Sequence, residues 1–202
     1  MSVVAPAGDI NPGFDDPVLD SQSAFRAIMG AMATPGRPHT VAFGDIEPPK
    51  PLDVATAAAA LCLFDFETPV WLDGATADAG TAGYIRFHCG APLVSSPDAA
   101  SFAIIADPAA MPPLQDFNPG EEQYPDRSAT LILQVRSLTE GQSFRLSGPG
   151  IETTHDISVA GLPTRFIADW RINHARYPTG VDVLLVAGQT VVGLPRSTRM
   201  ES

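Results

Sequence analysis

The sequence predicts an α/β fold, a three-layer sandwich in which a mixed β-sheet is flanked by helices. Two observations predict it. In the first half, helical stretches near 20–32, 53–64 and 76–88 alternate with short apolar runs, PVWL from Pro69 and SFAIIA from Ser101. That alternation lays helices over a sheet. In the second half, strand-like runs follow one another across tight turns, as in VDVLLVA, Gly188-Gln189 and TVVGLP, so antiparallel pairs join the sheet and make it mixed. At 202 residues the chain is long enough for one well-buried domain and short for two. The expectation is a flexible amino-terminal arm over 1–17 and a single domain over 18–202.

The core is expected to form around Ser128 to Ile151, SATLILQVRSLTEGQSFRLSGPGI. Ala129, Leu131, Leu133 and Val135 alternate with Ser128, Thr130, Gln134 and Arg136, the period of a half-buried strand. Ile132 is the exception. Phe144 and Leu146 alternate with Ser143, Arg145 and Ser147, and a polar turn ending at Gly141 would return this second strand antiparallel beside the first. Each buried aliphatic side chain contributes about 1.5–3 kcal/mol, so the apolar face of such a hairpin can nucleate a core.

The other elements follow in chain order. Asp20 or Ser21 can cap a helix through Met32, with Phe25, Ile28, Met29 and Met32 on one stripe and Thr34-Pro35-Gly36 as its stop. Thr40 to Phe43 reads as a short strand, and the stiff loop IEPPKP carries the only lysine, Lys50. Asp53 to Phe64 is alanine-rich and helical; Pro69 to Leu72 suits a buried strand. A third helix from Thr76 to His88 is weakened by Gly80 and Gly83. Ser101 to Ala106 is a continuous apolar run and reads as a central strand covered on both faces. Asp107 to Asp126 is proline-rich and expected to be irregular surface. Asp156 to Val159 adds an edge strand, and Pro163 opens a last helix with Phe166, Trp170 and His174 on one stripe and a surface Arg165–Asp169 pair. The tail PRSTRMES is polar.

A net charge of −11 repels nucleic acid and anionic membrane surfaces, so neither is an expected partner. Cys62 and Cys89 form no C-x-x-C pair, which suggests neither a disulfide framework nor a thiolate metal cage and fits a reduced, cytoplasmic setting. No apolar run approaches the roughly 20 residues that span a bilayer. Gly148-Pro149-Gly150 follows a strand as a phosphate loop would, but Thr153 stands where a third glycine belongs and ETTHDISV looks extended. A plain turn is the better reading. The four histidines, His39, His88, His155 and His174, show no metal-ligand spacing. His88 beside Cys89, with Arg86 nearby, has the groups of an imidazole–thiol pair but lacks a third orienting residue; basic capping of a helix end is preferred.

Several stretches together carry a resemblance: SQSAFRAIMGAMATPG from Ser21, TPVWL from Thr68, IRFHCGAPLV from Ile85, SATLILQVRSL from Ser128, RLSGPGI from Arg145, YPTGVDVLLV from Tyr177 and LPRST from Leu194. In this order they resemble the PhnH family, a subunit of the bacterial carbon–phosphorus lyase complex that degrades phosphonates. Residues 107–126 depart from the family pattern. The resemblance implies a fold similar to pyridoxal-phosphate-dependent transferases that has lost the cofactor. That chemistry needs a Schiff-base lysine, for which Lys50, in its proline-rich loop, is a poor candidate. It also implies self-pairing of the isolated chain and assembly with the G, I and J subunits. In that complex ATP and an alkylphosphonate become a ribose 1-alkylphosphonate 5-triphosphate with loss of adenine. Two roles are compatible with this. One is a structural and interaction subunit that docks partners through surfaces such as the 107–126 loop and the Ile85–Val94 segment, with no cofactor, no metal and no catalysis of its own. The alternative has it supply phosphate-binding or acid–base groups, with Arg86, His88, Arg196 and Thr198 the candidates because guanidinium forks match phosphate oxygens. A free-standing ligand-binding domain is a distant third.

Overall fold

A computed structural model of the chain describes residues 10–41 and 46–202. Its helices are α1 (Pro17–Ala33), α2 (Val54–Leu63), α3 (Ala79–Cys89) and α4 (Phe166–Ala175). The strands are β1 (Pro38–Thr40), β2 (Val70–Leu72), β3 (Leu93–Val94), β4 (Phe102–Ile105), β5 (Thr130–Gln134), β6 (Ser137–Ser147), β7 (His155–Ala160), β8 (Asp182–Ala187), β9 (Thr190–Leu194) and β10 (Arg199–Glu201). They form a seven-stranded sheet in the order β1-β9-β8-β5-β4-β2-β3 and a three-stranded sheet in the order β10-β6-β7. In the large sheet β3, β2, β4, β5 and β8 run parallel, β9 returns antiparallel to β8, and β1, antiparallel to β9, points the same way as the five. The expected α/β fold with a mixed sheet is therefore present.

Its layers differ from expectation on one side. Helices α1, α2 and α3 cover one face of the large sheet, packing Ala24, Ile28, Tyr84, Ile85 and the α2 alanines against Ile104, Ile132, Leu184 and Val191. The opposite face presents Ala103, Ile105, Leu131, Leu133, Val183 and Leu185. There the cover is composite: Phe166 and Trp170 of α4, Met111, Leu114 and Phe117 of the 107–126 segment, and Phe144, Leu146, Ile157 and Met200 of the small sheet. The 107–126 segment is irregular as expected, but it is not merely surface, since Leu114 and Phe117 are fully buried. It roofs the sheet where a crossover helix is absent.

The central hairpin does not form. Strand β5 is paired on both edges, Ile132 opposite Ile104 of β4 and opposite Leu184 of β8, so no edge remains for β6. It is also buried on both faces, which is why Ile132 breaks the alternation: a central parallel strand has no solvent side. The chain changes sheets at one step, where Val135 N–H donates to Val186 O at 2.7 Å and Arg136 N–H to Ala160 O at 2.8 Å. Strand β6 then pairs with β7, Phe144 opposite Ile157, and with β10, Leu146 opposite Met200. Gly141 is a register shift within β6, not a turn; at φ +106 any Cβ would lie 2.4 Å from Val159 O. The tail forms β10 instead of a free end.

Helix α1 starts at Pro17, not at Asp20 or Ser21, because Asp16 Oδ1 accepts from Val18 and Leu19 N–H at 3.1 and 3.0 Å and proline is preorganised for the first helical position. Its buried face is Ala24, Ile28 and Ala31, whereas Phe25 and Met29 are half-exposed. The cause is close approach. A Cβ on Gly193 of β9 would lie 2.4 Å from Ala31 O, so helix and strand touch backbone to backbone and only small residues fit the contact. Helix α3 runs from an Asp78 cap to a left-handed Gly90 at φ 67. Of the expected arm, residues 1–9 lie outside the described residues; Asn11 O accepts from His88 Nε2 at 2.9 Å and Pro12 O from the Tyr84 hydroxyl at 3.4 Å, which ties this stretch to α3. Of the expected strand at 40–43, Ala42 and Phe43 lie outside the described residues as well.

The α1–β9 contact makes a direct prediction. Gly193→Ala forces the two backbones apart and lowers stability by about 1–3 kcal/mol, while Gly74→Ala, whose Cβ meets nothing within 4 Å, leaves it nearly unchanged. Urea unfolding of the two variants measures the difference.

Candidate functional site

Arg86 and His88 sit in the last turn of α3, in the helical layer, whereas Arg196 and Thr198 lie between β9 and β10 on the opposite side of the large sheet. The four candidates are thus divided between two places. Arg86 is exposed. The His88 ring lies 4.5 Å from the Tyr84 ring, and its Nε2 meets a carbonyl, which only accepts, so that nitrogen carries the proton. The Cys89 thiol donates instead to Ala60 O at 3.6 Å. Burial pushes it up to about 12, and an imidazole–thiolate pair does not form.

Arg196 is engaged throughout. Its Nε and Nη2 fork onto both oxygens of Asp182, at 3.1 and 2.5 Å, its Nη1 donates to Pro125 O at 2.6 Å, and its own N–H donates to Asp182 Oδ1 at 2.7 Å. With both side chains under 20% exposed, at 14% and 17%, this pair anchors the segment after β9 to the start of β8. Thr198 O accepts from Trp170 Nε1 at 2.9 Å, and Thr198 Oγ1 is buried without a partner.

Around this anchor lie groups from the Phe166–Trp170–His174 stripe and from the polar tail. A hollow of about 430 Å³ is lined by Ser147, Gly148, Pro149, His174, Tyr177, Ser197 and Arg199. A neighbouring one of about 480 Å³ shares His174 and Arg199 and adds Arg171 and Glu201. One signal was available: Arg165, Arg171, Arg176, Arg196 and Arg199 cluster near the end of a strongly acidic chain.

Open parallel sheets usually bind ligands beyond the carboxyl ends of their strands. Here that end holds a hollow of about 440 Å³ with Asp53, Asp107, Gln134 and Arg136 on its wall. Most of its polar groups hold the chain together. Gln134 bridges Asp53 N–H and Pro51 O at 2.6 and 3.0 Å, and Asp53 Oδ2 accepts from Gly188 N–H at 3.0 Å. Beside it the buried Asp73 carboxylate accepts from Thr76 N–H and hydroxyl and from the Ala106 and Asp107 N–H groups. Lys50 is exposed in the β1–α2 connection. Among the described residues no group of three His, Cys, Asp or Glu could hold a metal, and no helix is long and apolar enough to cross a membrane.

The thiol chemistry is testable. With its ionisation near 12, Cys89 is thiolate in only about one molecule in 10⁴ at pH 8, so iodoacetamide modifies it only after unfolding. Mass spectrometry showing rapid alkylation of Cys89 in the native protein would contradict this.

The sequence matches the family described as bacterial phosphonate metabolism protein (PhnH) over residues 12–201. It is 41% identical over 191 residues to the alpha-D-ribose 1-methylphosphonate 5-triphosphate synthase subunit PhnH of Rhizobium meliloti (strain 1021), covering 93% of this chain and 94% of the relative. It is 35% identical over 81 residues to a putative C-P lyase subunit protein, HtxG, of Stutzerimonas stutzeri, covering 40% and 42% of the two chains. With the match running from the strand-free segment before α1 through β10, the chain belongs to the PhnH family.

Proposed function

We propose that this chain is a subunit of the assembly that converts ATP and an alkylphosphonate into a ribose 1-alkylphosphonate 5-triphosphate in bacterial phosphonate breakdown, and that it serves mainly through contact with other chains. The observation that carries this reading is the near full-length match to a relative named as a subunit of such a synthase. The partners are a second copy when the chain is isolated and the G, I and J subunits in the complex, in a reduced cytoplasm. Two further features support docking. Arg196, His88 and Cys89 are already occupied by internal contacts. The helical layer also leaves large apolar side chains uncovered: Val18, Phe25 and Met29 on one face of α1, and Phe66 and Phe87, at 75% and 68% exposed, beside and on α3. Large exposed apolar side chains that share one helix face, as on α1, are the kind of surface that interaction sites use. The sandwich further resembles a pyridoxal-phosphate transferase without its cofactor, a reading supported by the exposed position of the sole lysine, Lys50. The alternative, in which Arg86, His88, Arg196 and Thr198 serve the transfer reaction, has less support because the four do not converge.

Coexpression with the G, I and J subunits tests the docking role. The wild-type chain co-elutes with them on size exclusion, and a Phe25→Asp, Phe87→Asp double variant folds but elutes apart. Complexes carrying Arg86→Ala or His88→Ala release adenine at the wild-type rate; a large loss with assembly intact would favour the alternative.

A further inference from the structure

We propose that the cleft between the carboxyl end of α4, the Gly148-Pro149 turn and the segment joining β9 to β10 binds the phosphoryl group of a small organic phosphate or phosphonate. This goes beyond docking and does not depend on it, because every group involved belongs to this chain alone.

Charge is the first observation. The chain carries a net −11, yet the wall of the 430 Å³ hollow contains no carboxylate. Its polar side chains are Ser147, Ser197, Tyr177, His174 and Arg199, all able to donate hydrogen bonds. Arg145, Arg165 and Arg196 are each paired with an aspartate, whereas Arg171 and Arg199 pair with no carboxylate among the described residues. A lone exposed arginine is ordinary surface. Two of them bordering adjoining hollows, with an imidazole common to both, make a site for a group with several anionic oxygens. Carboxylates border the two hollows that share walls with the 430 Å³ one, Glu201 in the 480 Å³ hollow and Asp126 with the already paired Asp182 in one of about 380 Å³, so the anion fits in the carboxylate-free hollow between them.

His174 is held ready for this task. Its Nδ1 lies 2.9 Å from Arg196 O; because a carbonyl only accepts, Nδ1 bears the proton and Nε2 is left for a ligand. A neutral ring accepts there from a protonated phosphoryl oxygen, and a charged ring donates to an ionised one. Arg196 therefore acts as a positioning residue. Its side chain locks the segment onto Asp182, and its carbonyl fixes the ring.

The opposing wall is fixed as well. Ser147 pairs with Arg199 across β6 and β10. Gly148, at φ +131, lets the turn approach so closely that a Cβ would stand 3.0 Å from Ser197 O. The turn thus shapes the cleft without being a helix-capped phosphate loop. At about 430 Å³ the hollow suits a small metabolite.

The isolated full-length chain is titrated calorimetrically, at constant ionic strength, with inorganic phosphate, methylphosphonate and ribose 5-phosphate. Saturable binding of at least one probe is expected, weakened about tenfold or more by Arg199→Ala. His174→Asn provides the second variant, since its amide can keep the bond to Arg196 O while removing Nε2; it is expected to melt like the wild type and bind more weakly. Arg145→Ala, which removes a charge already paired with Asp156, leaves affinity unchanged. Preference for methylphosphonate identifies a phosphonate site and preference for ribose 5-phosphate a phosphate-ester site; equal affinities show that the phosphoryl group alone is read. Absence of saturable binding by all three probes, or equal weakening by Arg145→Ala and Arg199→Ala, overturns the proposal.

Discussion

Strand β5 constrains the whole molecule. Both of its edges are hydrogen-bonded to parallel neighbours and both of its faces are buried, so nothing else can pair with it and everything else must cover it. Parallel strands need long crossovers to return in the same direction, and the chain supplies them on both sides: the 107–126 roof before β5 and the small sheet with α4 after it. The residues just beyond the β5 strand, Val135 and Arg136, send consecutive amides to different sheets. That step places β6 on the outer face, where its amphipathic residues meet the apolar face of β5 from above instead of from the side.

This explains what the sequence could and could not disclose. Leu131, Leu133, Phe144 and Leu146 do share one core, so the apolar pattern identified which residues meet. It could not tell lateral pairing from face-to-face packing, because alternation is the same in both. In α1 the expected stripe kept Ile28 in the core and Met32 against it, but Phe25 and Met29 gave way to Ala24 and Ala31. Side-chain size favoured Phe25 and Met29, but proximity to Gly193 admits only alanine-scale residues, and such closeness depends on a strand more than a hundred residues away. The helices, the central strands and the β8–β9 hairpin were legible because local periodicity and turn residues define them.

The candidate site shows the opposite balance. Arg196 stood out in sequence as a phosphate ligand, yet its fork is closed onto Asp182. The residues it positions, His174 among them, were hidden in a helix stripe read as core. A residue conspicuous for its chemistry thus serves the framework, and the groups with free valence lie beside it. Membership of the PhnH family and the geometry of this corner are independent findings; the first concerns the whole chain, the second a few side chains.

The backbone contact between Ala31 and Gly193 has a consequence for recognition. A helix seated that closely on a strand cannot roll or slide without collision, so the stripe formed by Val18, Phe25 and Met29 is presented at a set height and angle. Any chain that packs there meets a surface already ordered, and the entropy usually lost in arresting a mobile element on association is largely absent.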